Sequence, residues 1–468
     1  MAEQERSHAV RRGRVARAAP LLGAAGRTAG EAVVASLRGR RDASFHERAA
    51  ERYAERLGRS KGVLMKAGQL LSFVSFAPAL DGDYAPVYRA ALARLQDSAP
   101  PMPYEDAAAM VKQELGARPE ELFAEFSREP IAAASIGQVH AATLEDGRRV
   151  AVKVQYPGVE AAIRADLSNT ELLVGFFSLA RSMAPSLSRM DMRALAAEVS
   201  VRIGEELDYR TEAANQAEFA GVYRGHPFVR VPEVVPELCA DRVLTMEFAD
   251  GMRWAKALTA EQDLRDRWGE VVYRFTLGSL RRRGLFHADP HPGNYLFHDD
   301  GTVTFLDFGC VKRFTPRQIG QMRAMVTATV DGDASGFSRA LLDAGFFPPD
   351  DAAPDPAELL SWFQANLHSL VGPQPYTFTP DRGAAAVQAA FSPTGAYGAL
   401  LRRLTMPADF LFLSRIEMGM SAVLGELHAT GEWRGICDEW DRGAPPATPY
   451  GELDQDFWRE RHVGRSLG

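Results

Sequence analysis

Two short stretches concentrate the residues able to do chemistry. Phe286-His287-Ala288-Asp289-Pro290-His291-Pro292-Gly293-Asn294 is followed, past an Asp300-Gly301 turn signal, by Phe305-Leu306-Asp307-Phe308-Gly309. A loop aspartate, an amide after it and a second aspartate beyond a hairpin make an oxygen-rich set. Such a set suits phosphoryl transfer, which asks for positioning and charge neutralisation more than for covalent chemistry. Asp289 would orient and deprotonate a hydroxyl or a water. Asn294, through its amide oxygen, and Asp307 would hold a hard dication, Mg²⁺ or Mn²⁺. Taken alone, the first stretch also admits a His/Asp metal site made by His287, Asp289 and His291.

The spacing of His287, Asp289 and Asn294 fits the catalytic loop H-R-D-x-x-x-x-N of protein kinases, with Ala288 in place of the arginine, and Asp307-Phe308-Gly309 supplies the D-F-G. Upstream, Ala151-Val152-Lys153-Val154 matches the V-A-I-K strand, whose lysine holds the α- and β-phosphates of a nucleotide. The preceding Ala132-Ala133-Ala134-Ser135-Ile136-Gly137-Gln138-Val139 aligns with G-x-G-x-x-G-x-V. Gly137 and Val139 keep their places, whereas Ala132 and Ala134 stand where two glycines would be. Alanine lacks glycine's backbone freedom, so this phosphate cradle should be stiffer. An acid to pair with Lys153 is offered by Gly204-Glu205-Glu206-Leu207-Asp208-Tyr209. On a helix Glu205 and Asp208 share a face and Glu206 points elsewhere, and spacing alone selects none of them. Met246-Glu247-Phe248-Ala249-Asp250-Gly251 ends a strand where an adenine-binding hinge would lie, with the backbone of Glu247 and Phe248 as the binding atoms.

These residues need particular elements around them. Residues from about 30 to 98 carry apolar positions at helical spacing through Tyr53, Leu57, Val63, Leu64 and Leu70. A Pro-rich break, Ser98 to Pro103, precedes a further helix at Tyr104 to Leu115. Ile131 to Leu144 and Arg148 to Gln155 read as two strands joined by Glu145-Asp146-Gly147, a hairpin signal. Val159 to Phe219 is mostly helical; Phe228 to Val235 and Arg242 to Phe248 read as strands. From Trp254 onward the pattern is helical except for a hairpin at Tyr295 to Phe308, and residues from Gly443 on read as a polar tail. Strands first and helices after, with a small hairpin between, predict an α+β, protein-kinase-like two-lobed fold.

Bulk properties agree with this and exclude other classes. The 468 residues are 46% hydrophobic and 25% charged, with a formal net charge of −7, so nothing global marks a nucleic-acid binder. Cys239, Cys310 and Cys437 are too far apart for a CxxC pair and read as buried reduced thiols of a cytoplasmic protein. No run reaches about 18 uncharged apolar residues, so no transmembrane helix is expected. Arg11, Arg12, Arg14 and Arg17 precede the apolar Ala18 to Ala25 segment, and Arg27, Arg38, Arg40 and Arg41 follow it. Three readings stay open there: a secretory signal, a basic amphipathic helix on an anionic membrane, and a solvated basic leader.

Over roughly residues 30 to 440 the chain resembles the UbiB (aarF-domain) family of atypical kinases. Four motifs carry the resemblance in order: Lys66-Ala67-Gly68-Gln69 for K-x-G-Q, the alanine loop Ala132 to Ser135, Glu206-Leu207-Asp208 for E-x-D followed by Tyr209, Glu212 and Asn215, and His287 to Asn294 for H-A-D-P-H-P-G-N. The resemblance implies that the K-x-G-Q helix packs over the active site and restricts protein substrates, with Lys66 and Gln69 facing the nucleotide and Glu206 pairing with Lys66 or Lys153. It implies ATP or ADP and a divalent metal as cofactors, unusual nucleotide selectivity from the alanine loop, and partners among anionic membrane lipids and the proteins or precursors of isoprenoid-quinone synthesis. No A-P-E follows the D-F-G, which speaks against a protein-docking loop. The expected organisation is a basic leader (1–29), a helical extension (30–127), an N-lobe with a helical insertion (128–250), a C-lobe (251–442) and a tail (443–468). A small-molecule kinase of the aminoglycoside or choline type, and a nucleotide-gated lipid-binding scaffold without turnover, are the alternatives.

Overall fold

The computed structural model describes residues 101–134, 136–167, 200, 204, 207–347, 354–391, 395–405 and 407–465. Lys66, Gln69, Ser135 and Glu206 lie outside these residues, as do Glu205, the basic leader and most of the helical extension.

In chain order the chemistry-bearing half holds α1 (Tyr104–Leu115), β1 (Glu125–Phe126), β2 (Ala132–Ala133), β3 (Gly137–Thr143), β4 (Arg149–Gln155), α2 (Val159–Leu167), α3 (Tyr209–Tyr223), β5 (Val229–Arg230) and β6 (Val243–Glu247). There follow α4 (Gln262–Tyr273), a π-helical turn (Arg274–Gly278), α5 (Ser279–Arg283), β7 (Leu285–His287), β8 (Tyr295–Phe297), β9 (Val303–Phe305) and β10 (Val311–Arg313). The rest is mainly helical: α6 (Pro316–Asp331), α7 (Ala334–Asp343), α8 (Pro356–Asn366), α9 (Pro380–Phe391), α10 (Ala408–Leu427), α11 (Trp433–Asp441) and α12 (Pro449–Arg465). The strands β11 (Tyr376–Thr377) and β12 (Thr430–Gly431) pair antiparallel within it.

The chain divides into two compact units. The first contains residues up to α2, then Tyr209, Arg210 and Val235–Met246. Its sheet runs β1-β3-β4-β6, with β2 also on β3. The β3–β4 hairpin forms where Asp-Gly predicts it. Gly147 takes φ 85°, and the Asp146 carboxylate accepts from the Arg148 N–H at 3.0 Å. Val150, Val152 and Val154 are buried along β4, on which α1 packs. Glu114 of α1 accepts from Arg242 Nε at 2.9 Å, tying that helix to the start of β6. A buried polar column completes this unit. His140 Nδ1 must donate to the Ser127 carbonyl (2.8 Å), so Nε2 accepts from Gln138 (2.9 Å), whose amide oxygen takes the Met102 N–H (2.8 Å).

The second unit holds Thr211–Val234 and everything from Glu247 onward. β5 lies parallel to β9, and β8–β9 is the hairpin expected between the two chemical motifs. The core is aromatic around it: Phe275 stacks on Phe305 at 3.6 Å between ring centres, and Phe219 meets Phe275 at 5.6 Å. The π-helical turn seats Phe275 there and sends Arg274 into a buried charge network. Arg274 holds both oxygens of Glu439 (2.8 and 2.9 Å) and Glu270 Oε1 (2.6 Å).

Three sequence expectations need correction. The run Phe228 to Val235 yields only the two-residue β5, because its later residues bond β6 instead: the Glu233 carbonyl accepts from Glu247 N at 2.8 Å and Val235 N donates to the Thr245 carbonyl at 2.9 Å. The expected helical pattern after Trp254 also contains β7, β10, β11 and β12, each too short to show a period. The segment read as a polar tail forms α12. It lacks a broad apolar stripe and is held instead by buried Trp458 and by Asp454, which accepts from His226 (3.1 Å), Trp458 (2.8 Å) and Arg282 (2.7 Å).

Candidate active site

Strand β7 and strand β10 frame the loop that carries Asp289. His287 pairs with Val311 in their antiparallel register, and Ala288 donates to the Cys310 carbonyl at 2.8 Å. A single 3₁₀ turn, Pro292–Asn294, closes the loop, with the Gly293 N–H donating to His291 Nδ1 at 3.1 Å. A Cβ on Gly293 would sit 2.8 Å from that nitrogen, which explains the glycine. Asn294 then donates through Nδ2 to Asp289 Oδ2 at 2.9 Å. That bond aligns the carboxylate and leaves the amide oxygen of Asn294 as its ligand atom.

The hairpin returns the chain to the same place. Leu306 donates to the Asn294 carbonyl at 2.8 Å, so Asp307 follows directly beside the loop. Asp307 has φ 57°, a left-handed conformation that costs a non-glycine residue of the order of 1 kcal/mol or more. Several contacts hold it. Buried His287 donates from Nε2 to the Asp307 carbonyl at 2.8 Å, Gly309 donates to Asp307 Oδ1 at 3.2 Å, and the Phe308 ring lies edge-on to His287 at 5.1 Å and 5.0 Å from Phe219. His287 is therefore spent on positioning. Among the described residues no three His, Cys, Asp or Glu side chains are grouped to hold a metal, so the His287–Asp289–His291 metal reading fails.

The donor set fits a hard dication. Asn294 offers an amide oxygen and Asp307 a carboxylate, and Mg²⁺ uses one or two protein oxygens while phosphates supply others. Tyr295, behind the loop, has its hydroxyl pushed well up by burial and then by the charge of Asp289, so it stays protonated. Pro290 packs against α10: a Cβ on Gly419 would meet Pro290 Cγ at 2.5 Å.

In the first unit, Ala132 and Ala133 form β2 against Val139 and Gln138 of β3. Ala134 donates to the Gly137 carbonyl at 2.8 Å and closes the turn. Gly137 is required by contact rather than by φ, since a Cβ there would lie 2.3 Å from the Val154 carbonyl and 2.9 Å from the Tyr209 hydroxyl. Val139 stands opposite Lys153 in the β3–β4 register. Lys153 is 6% exposed, with Nζ 5.0 Å from the centre of the Tyr209 ring, a cation–π distance.

The acids sort differently from their spacing. Asp208 accepts from the Arg210 N–H at 2.9 Å and caps the start of α3. Glu212, further along α3, is 2% exposed. A carboxylate that deep is kept for a partner, and the signal for it in the sequence was its place after the E-x-D motif. At the expected hinge, the Glu247 N–H is committed to the Glu233 carbonyl at 2.8 Å, and the Glu247 carboxylate accepts from Glu233 N at 3.1 Å. The amide of Glu247 is thus removed from the atoms that could read a base, while Phe248 stands half-buried after it.

Comparison with known proteins gives the family and the fold. Residues 94–341, just over half of the chain, match the ABC1 atypical kinase-like domain. The chain is 35% identical to the Arabidopsis thaliana chloroplast protein Activity of BC1 Complex Kinase 3 across 69% of this chain and 45% of that one. It is 32% identical to the mitochondrial atypical kinase COQ8 of Saccharomyces cerevisiae across 63% of this chain and 57% of that one. The curated relatives are longer: this chain spans only 34–45% of the Synechocystis and Arabidopsis proteins among them. A Mycobacterium tuberculosis protein solved in complex with erythromycin is similar at TM-score 0.60 and 29% identity, covering 88% of this chain and 98% of that one. With its strands, loop and D-F-G hairpin in kinase order, the chain belongs to the ABC1 (aarF/UbiB) family of atypical kinases and has a kinase-like fold.

Proposed function

We propose that this protein binds ATP or ADP with Mg²⁺ or Mn²⁺ and hydrolyses the nucleotide or transfers its terminal phosphoryl group. The observation that carries this is the hydrogen-bonded set Asp289–Asn294 beside a strained, clamped Asp307. Asp289 takes the proton of the attacking water or hydroxyl as the new P–O bond forms and the bond to the departing nucleotide breaks. Asn294 and Asp307 would hold the dication, which neutralises phosphate charge when bound. Lys153 takes the α- and β-phosphates, the turn Ala132 to Gly137 with Val139 covers the nucleotide, and Glu212 takes the role of the helix carboxylate in kinase-like sites. Lys66, Gln69 and Glu206 are assigned the gating role that family resemblance gives them.

The process served is isoprenoid-quinone synthesis or lipid homeostasis. Similarity to COQ8 supports it, and peripheral contact with anionic lipid goes with it. Among the described residues no helix is long and apolar enough to cross a membrane. The test is phosphate release from ATP with Mg²⁺, with and without anionic liposomes and quinone-like phenols. Release that lipid or phenol stimulates and that Asp307→Asn abolishes supports a lipid-coupled ATPase. Nucleotide binding with no release under any condition contradicts turnover. That result favours a second reading, a nucleotide-gated binder of a bulky amphipathic molecule, which the erythromycin complex of the similar mycobacterial protein supports. Erythromycin is the ligand to try first.

A further inference from the structure

One peptide plane in the D-F-G segment is gripped from both ends. The peptide between Phe308 and Gly309 presents its carbonyl to Asn215 of α3, whose Nδ2 donates at 3.1 Å. The N–H of the same peptide donates to Asp307 Oδ1 at 3.2 Å. The orientation of this plane therefore sets the orientation of the Asp307 carboxylate. A glycine on its C-terminal side makes rotation of the plane sterically cheap, so something outside the segment has to hold it.

Asn215 is suited to that task and is itself held. It is 6% exposed, and its Oδ1 accepts from Arg313 Nη2 at 3.1 Å. Arginine only donates and a carbonyl only accepts, so the two partners leave one consistent orientation for the amide. Arg313 in turn pairs with Glu218, one helical step from Asn215 on α3, at 2.6 Å. Being exposed, the Arg313–Glu218 pair orients the guanidinium more than it stabilises the fold. Phe219, on the same helix, packs on the Phe308 ring, so α3 controls both the side chain and the carbonyl of that residue.

We infer that Asn215, oriented by Arg313 and Glu218, is a positioning residue that locks the Phe308–Gly309 peptide and so aims the Asp307 carboxylate at the metal. This rests on the proposed nucleotide–metal function. Removing the donor lets the plane rotate, takes the Gly309 N–H from Asp307 and weakens metal binding ahead of nucleotide binding.

The test uses the full chain and a fluorescent ATP analogue, titrated with Mn²⁺ to read the half-saturating metal concentration. Asn215→Asp keeps an acceptor for Arg313 but cannot donate to Phe308. It is expected to raise half-saturating Mn²⁺ by about five- to ten-fold, the effect of one lost hydrogen bond. Nucleotide affinity at saturating Mn²⁺ should stay within about two-fold, since the change acts on the carboxylate rather than on the phosphate contacts. If Asn215→Asp does not fold, Arg313→Met carries the test: its freed amide should raise the value about two- to three-fold, and Arg313→Lys should recover most of that loss. A folded variant with unchanged Mn²⁺ dependence overturns the inference, whether or not it is less stable. Wild-type protein whose analogue binding ignores Mn²⁺ overturns the nucleotide–metal function, and the inference with it.

Discussion

At the scale of single residues, the two chemical loops were legible because their spacing is local. Asp289 to Asn294 is one loop, and the hairpin returns the chain so that Leu306 bonds Asn294. Asn215 and Glu212 were far less legible. Each is a polar residue on a helix whose signal was only its place after the E-x-D motif, and the structure shows the rest through burial and, for Asn215, its bonds to Phe308 and Arg313. Gly137 lies between these cases: its alignment with a loop glycine was readable, but its reason is the Val154 carbonyl a Cβ would strike at 2.3 Å. Because that neighbour is backbone, Gly137→Ala must shift β4. The expected cost is about 1–3 kcal/mol in denaturant unfolding, with weaker nucleotide binding alongside. An unchanged midpoint would contradict this packing.

At the scale of elements, the β3–β4 hairpin followed from Asp146-Gly147, whereas α12 could not be read because buried Trp458 and the polar contacts of Asp454, not a broad apolar stripe, hold it. The same lesson applies to the π-helical turn and its buried Arg274. Arg274→Leu would leave Glu439 buried without its bidentate partner, a loss expected to cost about 3–5 kcal/mol. Thermal or urea unfolding checks it, and a loss under about 1 kcal/mol would mean the network is dispensable. α10 acts on the site more directly, through Gly419 against Pro290. Gly419→Ala should push the catalytic loop and lower kcat by about ten- to a hundred-fold with a smaller change in KM. An equal loss in both kcat and nucleotide binding would point to unfolding instead.

At the scale of the whole molecule, strands before helices gave the fold class, and the ABC1 match and the similar mycobacterial structure agree with it. Each unit also contains a buried histidine. Burial lowers the pKa of His140, and lowers that of His226 against the opposing pull of Asp454. Both fold neutral: His140 donates to Ser127, and His226 donates to Asp454 while its Nδ1 accepts from Val229 N. The unfolded chain therefore binds more protons in the acid range than the folded one. This stabilisation is full above about pH 6.5, the ordinary histidine value, and is lost as pH falls from there to the lowered values of the folded state. Asp454 acts with the same sign at lower pH: burial would raise its pKa, but His226 and Arg282 hold it below the usual carboxylate value. Unfolding temperature should thus fall steadily from pH 7 to pH 5, and His226→Gln should flatten part of that slope.

The most direct test of the central claim is equilibrium binding of ATP to the full chain with Mg²⁺ and with a chelator, for wild type and Asp307→Asn. Metal-dependent binding in the wild type that disappears in the variant is the result expected from Asp307 held beside Asn294. ATP binding indifferent to both Mg²⁺ and Asp307 would contradict a kinase-like nucleotide site.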